Sequence, residues 1–376
     1  MPTTMGIQWH FFWAAASVPF MSSESTAATK SSGPSLPQFF ERYQPLIAAA
    51  LREELQPHEL PLYTTLRYYL GWVDPDGNPD PKPEGKALRP TLCLLSCEAV
   101  GGNPKDALPA AVALEYIHNF SLIHDDIQDQ DEMRRHRKTV WAIWGEPVGI
   151  VSGNTIFSLA DLSSGKLTDR GVDAATSVAV GRVLAERYLK MMEGQYLDIS
   201  YESRSTITTT EYMDMIQRKT GALIECSIYS GALIGAGVGR ADNLIGSMRS
   251  LGREFGYVFQ IIDDLLGIWG GVATGKPVGA DILRKKKALP AVHALDNATG
   301  ASARELHTIY SEETVTASHV ETVLEIMDDV GTKAYCESLA REHWEKALLV
   351  IESVPLSTES AHDLRELGEF LLIRES

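Results

Sequence analysis

The sequence predicts an all-α protein, and three observations carry that prediction. Apolar residues recur with helical spacing through most of the chain, and sustained alternation of the strand type is scarce. Two long apolar stretches each run into a pair of aspartates, Asp125-Asp126 and Asp263-Asp264. The 376 residues, 44% of them hydrophobic, are enough for one large helical core. The expected division is a flexible N-terminal extension over 1–36 and a single all-α domain over 37–376.

Taken in order, residues 22–37 are rich in Ser, Thr and Pro, the composition of a flexible leader. Trp9–Phe20 is apolar, but no Lys or Arg precedes it and the first is Lys30. A secretory signal is therefore a poorer reading than an extension, or than a start at Met21. Gln38–Leu55 has amphipathic spacing. Residues 74–84 form a polar loop broken by prolines. Pro109 suits the first turn of a helix that Ala110–Asp129 carries forward. Further helices are expected near 172–200, 210–238, 242–269, 288–297 and 316–352. Such a bundle holds its site in a cavity between helices. No run reaches the ~18 apolar residues of a membrane span.

A formal charge of −16 argues against a general nucleic-acid binder. It does not exclude an anionic substrate, because bound cations reverse the field locally. Cys93, Cys97, Cys226 and Cys336 lack metal-ligand spacing and read as reduced core thiols, consistent with a cytoplasmic protein.

The stretch from Ser121 to Arg135 carries the most chemistry. Asp125 and Asp129 are four apart and share one helix face. Bare carboxylates stacked near a helix C-terminus repel each other and the macrodipole. A hard divalent cation resolves both conflicts, and Mg²⁺ takes a few carboxylate oxygens together with water and phosphate. Asp126 and Asp131 lie in the same cluster, Asp126 as a supporting group and Asp131 as a further candidate ligand. Asp263 and Asp264 repeat the arrangement on a second apolar helix, where an unneutralised carboxylate is costly to bury. A solvated acidic face explains either cluster alone but explains both together poorly.

Cations are spaced before, between and after them. Lys86 and Arg89 open a helical segment, Arg134 and Arg135 follow the first cluster, and Lys219-Thr220 precedes an apolar run. Lys276 and Lys286 follow the second cluster. Guanidinium forks and lysine point charges suit phosphate oxygens.

From about Gln38 to the C-terminus the chain resembles the trans-isoprenyl diphosphate synthases of the polyprenyl synthetase family, most closely bacterial geranylgeranyl diphosphate synthases. The resemblance rests on Gly85-Lys86 with Arg89-Pro90, His118 seven residues before Asp125, and the Asp125–Asp131 cluster. It extends through Arg134-Arg135, Lys219-Thr220, Phe259-Gln260 before Asp263-Asp264, and Lys276. It implies the isoprenoid synthase-type helical bundle with a central cavity, as a homodimer. It also implies an Mg²⁺-dependent prenyltransferase, with up to three ions per site, acting on isopentenyl diphosphate and allylic diphosphates.

On that resemblance Asp125, Asp129 and Asp263 would hold the metal. Arg134, Lys219 and Lys276 would grip the allylic diphosphate, and Lys86, Arg89, His118 and Arg135 isopentenyl diphosphate. Gln260 would hydrogen-bond at the allylic pocket, with Gln195 and Asp198 nearby. Two departures stand out: Ala87 replaces a common Arg, and Gly267 replaces a common third Asp in the second cluster. Asp281 is a carboxylate that could compensate for the latter. Phe120, with Ser121 beside it and Ile117 below, would floor the pocket. This points to geranylgeranyl diphosphate as product, with farnesyl diphosphate next. A class I terpene cyclase on the same fold needs no second diphosphate site, so Lys86, Arg89 and Arg135 argue against it. The intact first cluster argues against a non-catalytic subunit of a heteromeric synthase.

Overall fold

The computed structural model describes residues 36–82, 85–239, 242–271 and 277–373. The expected N-terminal extension and Lys276 therefore lie outside the described residues. The described residues belong to one compact unit.

Helices dominate it. In chain order they are α1 (Phe40–Leu55), α2 (Leu62–Tyr69), α3 (Leu88–Ala99), α4 (Leu108–Gln128), α5 (Val140–Trp144), α6 (Glu146–Gly165), α7 (Ala174–Glu202) and α8 (Thr209–Ile216). There follow α9 (Ala222–Ala236), α10 (Asp242–Trp269), α11 (Ala280–Leu283), α12 (Leu289–Asn297), α13 (Gly300–Ser311), α14 (Ala317–Asp329), α15 (Thr332–Ser353) and α16 (Thr358–Ile373). The strands among the described residues are a two-stranded ribbon, β1 (Met133–Arg134) and β2 (Arg137–Lys138).

The bundle is organised around α3, α4, α9 and α10. α4 packs on α6, α3 on α9, and α10 on both α9 and α15. α9 is buried almost all round, as an apolar helix without a polar face must be. A large apolar core unites these helices, and a smaller one joins the end of α10 to α11–α14 through Ile268, Ile282, Val323 and Met327. All four cysteines are buried and free, as expected of core thiols. Among the described residues no helix is long and apolar enough to cross a membrane.

Most expected helices appear within a few residues of their predicted ends. Three differences have physical causes. The segment expected as one helix over 210–238 is interrupted by a π-helical turn, Gln217–Gly221, between α8 and α9. The segment 316–352 splits where Gly331 adopts φ +67°, a left-handed conformation that ends α14 and starts α15. α6 escaped prediction because its Gly, Ser, Asn and Thr residues are weak helix formers; packing against α4 makes it helical.

Candidate active site

α4 delivers the first acidic cluster. Its upstream turns are buried on nearly every side, so the register of its last turn is fixed. Asp126 points inward at 1% exposure and accepts a hydrogen bond from Arg134 Nε at 2.5 Å; its Oδ2 is buried without a partner. Burial raises its carboxyl to about 6 against the pull of Arg134. Asp125 faces the interior of the site. Burial raises its carboxyl to about 6, Lys219 and Arg134 oppose the rise, and Asp129 and Asp198 reinforce it. Asp129 caps the helix and is exposed. Asp125 is thus held where burial disfavours its charge, with the Asp129 carboxylate one turn on along the same helix face.

Lys219 answers them from the π-helical turn, a geometry that often marks functional sites. Its ammonium bonds Asp198 Oδ2 on α7 at 2.5 Å. Burial works against its charge, but Asp198, Asp125 and Asp129 outweigh burial and raise its pKa. Contact between α7 and the turn depends on Gly194. A Cβ there would stand 2.6 Å from the Cα of Lys219 and 2.8 Å from the carbonyl carbon of Arg218. Backbone against backbone cannot yield, so only glycine lets Lys219 approach Asp198.

Next to this cluster lies a cavity of about 760 Å³ rich in cations. Lys86, Arg89, His118, Arg134 and Arg135 all line it, so five side chains from α3, α4, the segment before α3 and the ribbon converge on one space. Burial draws the Arg89 guanidinium down to about 10, while Glu115 and Asp263 work the other way; its Nε is buried without a partner. Burial, then Arg89, Arg135 and Arg134, hold His118 well below the usual imidazole range, so it is neutral at pH 7. Arg135 and His136 form the tip of the β1–β2 hairpin, with φ of 50° and 61°. Both central residues of a type I′ turn need positive φ, which usually selects Asn and Gly. An Arg-His tip is strained, and it turns Arg135 back towards Gly85.

A second, narrower cavity of about 180 Å³ opens beside the first. Arg89 and His118 line both. Asp125, Lys219, Thr220 and Gln195 border the second, and Phe120 and Ser121 also line it. Ile117 is buried, but it is absent from the lining. Behind Phe120 stand Phe157 and Tyr188, with ring centroids 5.2 Å and 5.7 Å away and 4.3 Å from each other. Neither was predicted, because they come from α6 and α7, and spacing along α4 carries no information about them.

The second acidic pair is split in role. α10 runs from Asp242 to Trp269, the span expected from sequence, so the pair lies within the helix. Asp263 is exposed, and its charge is felt by Arg89. Asp264, counted from sequence among the reacting carboxylates, is instead an anchor. It is 4% exposed and accepts hydrogen bonds from Tyr212 Oη at 2.5 Å, Gln260 Nε2 at 2.8 Å and the Leu289 amide at 3.1 Å. Burial raises it to about 7, although all three donors oppose the rise. Gln260 thus holds Asp264 and lines neither cavity. The carboxylate of Asp131 pairs with Arg284 at 3.5 Å. Lys286 is exposed and lines neither cavity; Lys287 instead caps the end of α7 through the Tyr201 carbonyl at 2.6 Å.

The donor set fits magnesium. Its candidate ligands are hard carboxylate oxygens, the donors Mg²⁺ takes a few of, with water and substrate phosphate completing the shell. The unpartnered Asp126 Oδ2 and Arg89 Nε leave polar capacity for such a ligand.

A family model described as polyprenyl synthetase matches residues 80–327. The chain belongs to the polyprenyl synthetase family. Like other polyprenyl synthetases it has the all-α isoprenoid synthase fold and is a prenyltransferase of isoprenoid biosynthesis. It is 34% identical over 338 residues to the (2E,6E)-farnesyl diphosphate synthase of Mycobacterium tuberculosis, covering 88% of this chain and 91% of that one. To the geranylgeranyl diphosphate synthase of the same organism it is 35% identical over 338 residues, with 89% and 93% covered. Its fold superimposes on the crystal structure of a polyprenyl synthetase from Streptomyces coelicolor with a TM-score of 0.81 at 33% identity, covering 89% and 98%.

Proposed function

We propose that the chain is an Mg²⁺-dependent head-to-tail prenyltransferase that condenses isopentenyl diphosphate with an allylic diphosphate to give geranylgeranyl diphosphate. The observation that carries this reading is the pair of cavities meeting at Arg89 and His118. One is lined with cations; the other is bordered by Asp125 and Lys219 and ends on aromatic rings. A cyclase needs only the second.

Asp125, Asp129 and Asp263 would hold Mg²⁺, which when bound would neutralise charge gathering on the leaving diphosphate. Lys219, fixed by Asp198, and Arg134, fixed by Asp126, grip that diphosphate. Stabilising charge as it develops is the main lever in such a reaction. The allylic C–O bond breaks, leaving an allylic cation and free diphosphate. The isopentenyl double bond, presented by Lys86, Arg89, His118 and Arg135, attacks the cation to form the new C–C bond. A proton is then lost to the departing diphosphate and the double bond re-forms. Neutral His118 can donate one hydrogen bond without adding a fourth charge to the arginines. The apolar walls keep water from the cation.

The test is elongation by the purified chain with Mg²⁺, labelled isopentenyl diphosphate and each allylic primer. A prenyl product longer by five carbons per step supports the synthase. A cyclic hydrocarbon from one prenyl diphosphate alone would overturn it, as would turnover that requires another subunit. His118→Ala is expected to raise the KM for isopentenyl diphosphate about tenfold, the loss of one charge-assisted hydrogen bond, with little change for the allylic primer. Equal effects on both would detach His118 from that role.

A farnesyl product is the second reading, favoured by the cavity itself. Its 180 Å³ is little more than the ~150 Å³ of an engineered cavity that binds benzene. A homodimer is part of the proposal. Large apolar residues are exposed on α6 (Ile150, Val151, Leu162) and α7 (Val178, Leu189, Tyr196), a surface that water disfavours. Light scattering on the eluting protein should give twice the 41.3 kDa chain mass; a monomer would refute the pairing.

A further inference from the structure

We propose that the cavity between α7, α9 and the start of α10 is a second anion site, built to take a phosphate monoester with an apolar body. It shares no lining residue with either cavity of the candidate active site. Arg249, on its wall, lies fourteen residues before Asp263 on α10. At ~1.5 Å per residue the two stand about 21 Å apart along the helix. The cavity holds about 520 Å³, within the ~300–1,000 Å³ usual for small-ligand sites.

Three arginines line it, Arg182 and Arg187 from α7 and Arg249 from α10. Their counter-charges fall short. Arg182 is paired with Glu186 at 2.7 Å. Arg187 and Arg249 depend on one oxygen of one carboxylate. Glu225 Oε1 stands 3.1 Å from Arg187 Nη2 and accepts a hydrogen bond from Arg249 Nε at 2.7 Å. Glu225 Oε2 is taken by Gln217 Nε2 at 3.2 Å. One carboxylate thus answers two guanidinium groups, and a positive charge is left over. Asp242, also on the lining, is exposed and lies two turns of α10 before Arg249.

Arg187 makes that excess unfavourable. It is 4% exposed, and among the described residues its buried Nε has no hydrogen-bond partner. A buried cation with an idle donor is disfavoured until an anion meets it. Arg249 is held with its guanidinium 5.6 Å from the centroid of the Tyr229 ring, another wall of the cavity. Guanidinium forks bind phosphate oxygens in pairs. Three forks outnumber the two oxygens of a carboxylate, whereas a phosphate monoester presents three. Val183, Leu233 and Ile245 supply an apolar wall, each buried. Inorganic phosphate would leave that wall wet, so the fitting ligand carries an apolar body beside its phosphate.

The test is calorimetric titration of phenyl phosphate into the full chain with EDTA present, beside the melting temperature. Saturable binding is expected. Arg182→Gln and Arg249→Gln should each weaken it ~10-fold or more, the loss of one charge-assisted contact. Arg182 is exposed, so Arg182→Gln should melt as the parent does. Arg249→Gln also strips a partner from Glu225; if it melts lower, Arg182→Gln decides. Lys86→Gln, in the cation-lined cavity of the candidate active site, should bind phenyl phosphate as the parent does. Inorganic phosphate should bind ~10-fold more weakly than phenyl phosphate, for want of the buried ring. Parental affinity in Arg182→Gln overturns the inference, and a loss in Lys86→Gln instead would place the probe in the active-site cavity. No saturable binding to the parent at millimolar phenyl phosphate overturns it as well. Inorganic phosphate that binds as tightly as phenyl phosphate would overturn the apolar body of the ligand.

Discussion

Asp125→Ala is expected to lower prenyl transfer at least ~10³-fold with the fold intact, since the loss of even one group aimed at developing charge costs about 10²–10³-fold. The intact fold follows from the environment of Asp125. Burial raises its carboxyl from 3.8 to about 6. A carboxyl whose folded pKa exceeds its unfolded value binds its proton more tightly when folded. Stability therefore falls as pH rises from about 4 to about 6, and the cost is fully present above that window. Asp125→Asn should accordingly melt no lower than the parent at pH 7.5 without metal. That advantage should vanish near pH 4, where the parent aspartate is itself neutral. In the parent, Mg²⁺ with pyrophosphate should bind more tightly from pH 5 to pH 7, as the competing proton leaves; in Asp125→Asn that slope should flatten. Near-normal turnover by Asp125→Ala would sink the metal assignment. A large fall in melting temperature would mean that Asp125 serves the fold and not the chemistry.

The contrast between Asp125 and Asp264 shows what the sequence carries and what it does not. Both belong to acidic pairs on apolar helices, and one-dimensional spacing cannot tell a carboxylate facing a cavity from one facing a tyrosine. Asp264 is claimed by Tyr212 from α8, Gln260 from its own helix and the first amide of α12. Only Gln260 stands at a spacing that a sequence reveals. The same limit hid the pairing of Asp131 with Arg284. What was legible is whatever one helix or one short motif determines: the α4 register, the converging cations Lys86, Arg89, Arg134 and Arg135, and an all-α fold. The π-helical turn and the strained Arg-His hairpin tip were not legible. Both are local conformations imposed by packing, and both carry residues of the site.

Phe120→Ala is expected to shift the product distribution to longer chains, with C20 or C15 giving way to products one or more five-carbon units longer. A helix rises ~1.5 Å per residue, so Phe120 lies roughly 7–8 Å along α4 from Asp125, on the path a growing chain takes away from its diphosphate. Its ring lines the narrow cavity, and removing it opens that cavity downward. The gain has a limit, because Phe157 and Tyr188 stack directly behind. The single substitution should thus lengthen the product by a bounded step. Adding Tyr188→Ala should remove the second barrier and lengthen it again. Chromatography of the hydrolysed products reads the distribution. The cost to stability is that of deleting a buried aromatic ring, about 3–5 kcal/mol when the site cannot relax. It should come out at the lower end here, since the new space adjoins a cavity that a prenyl chain can fill. An unchanged product from a folded, active Phe120→Ala would show that the floor lies elsewhere. A longer product that does not lengthen further in the double variant would place the limit at Phe120 alone.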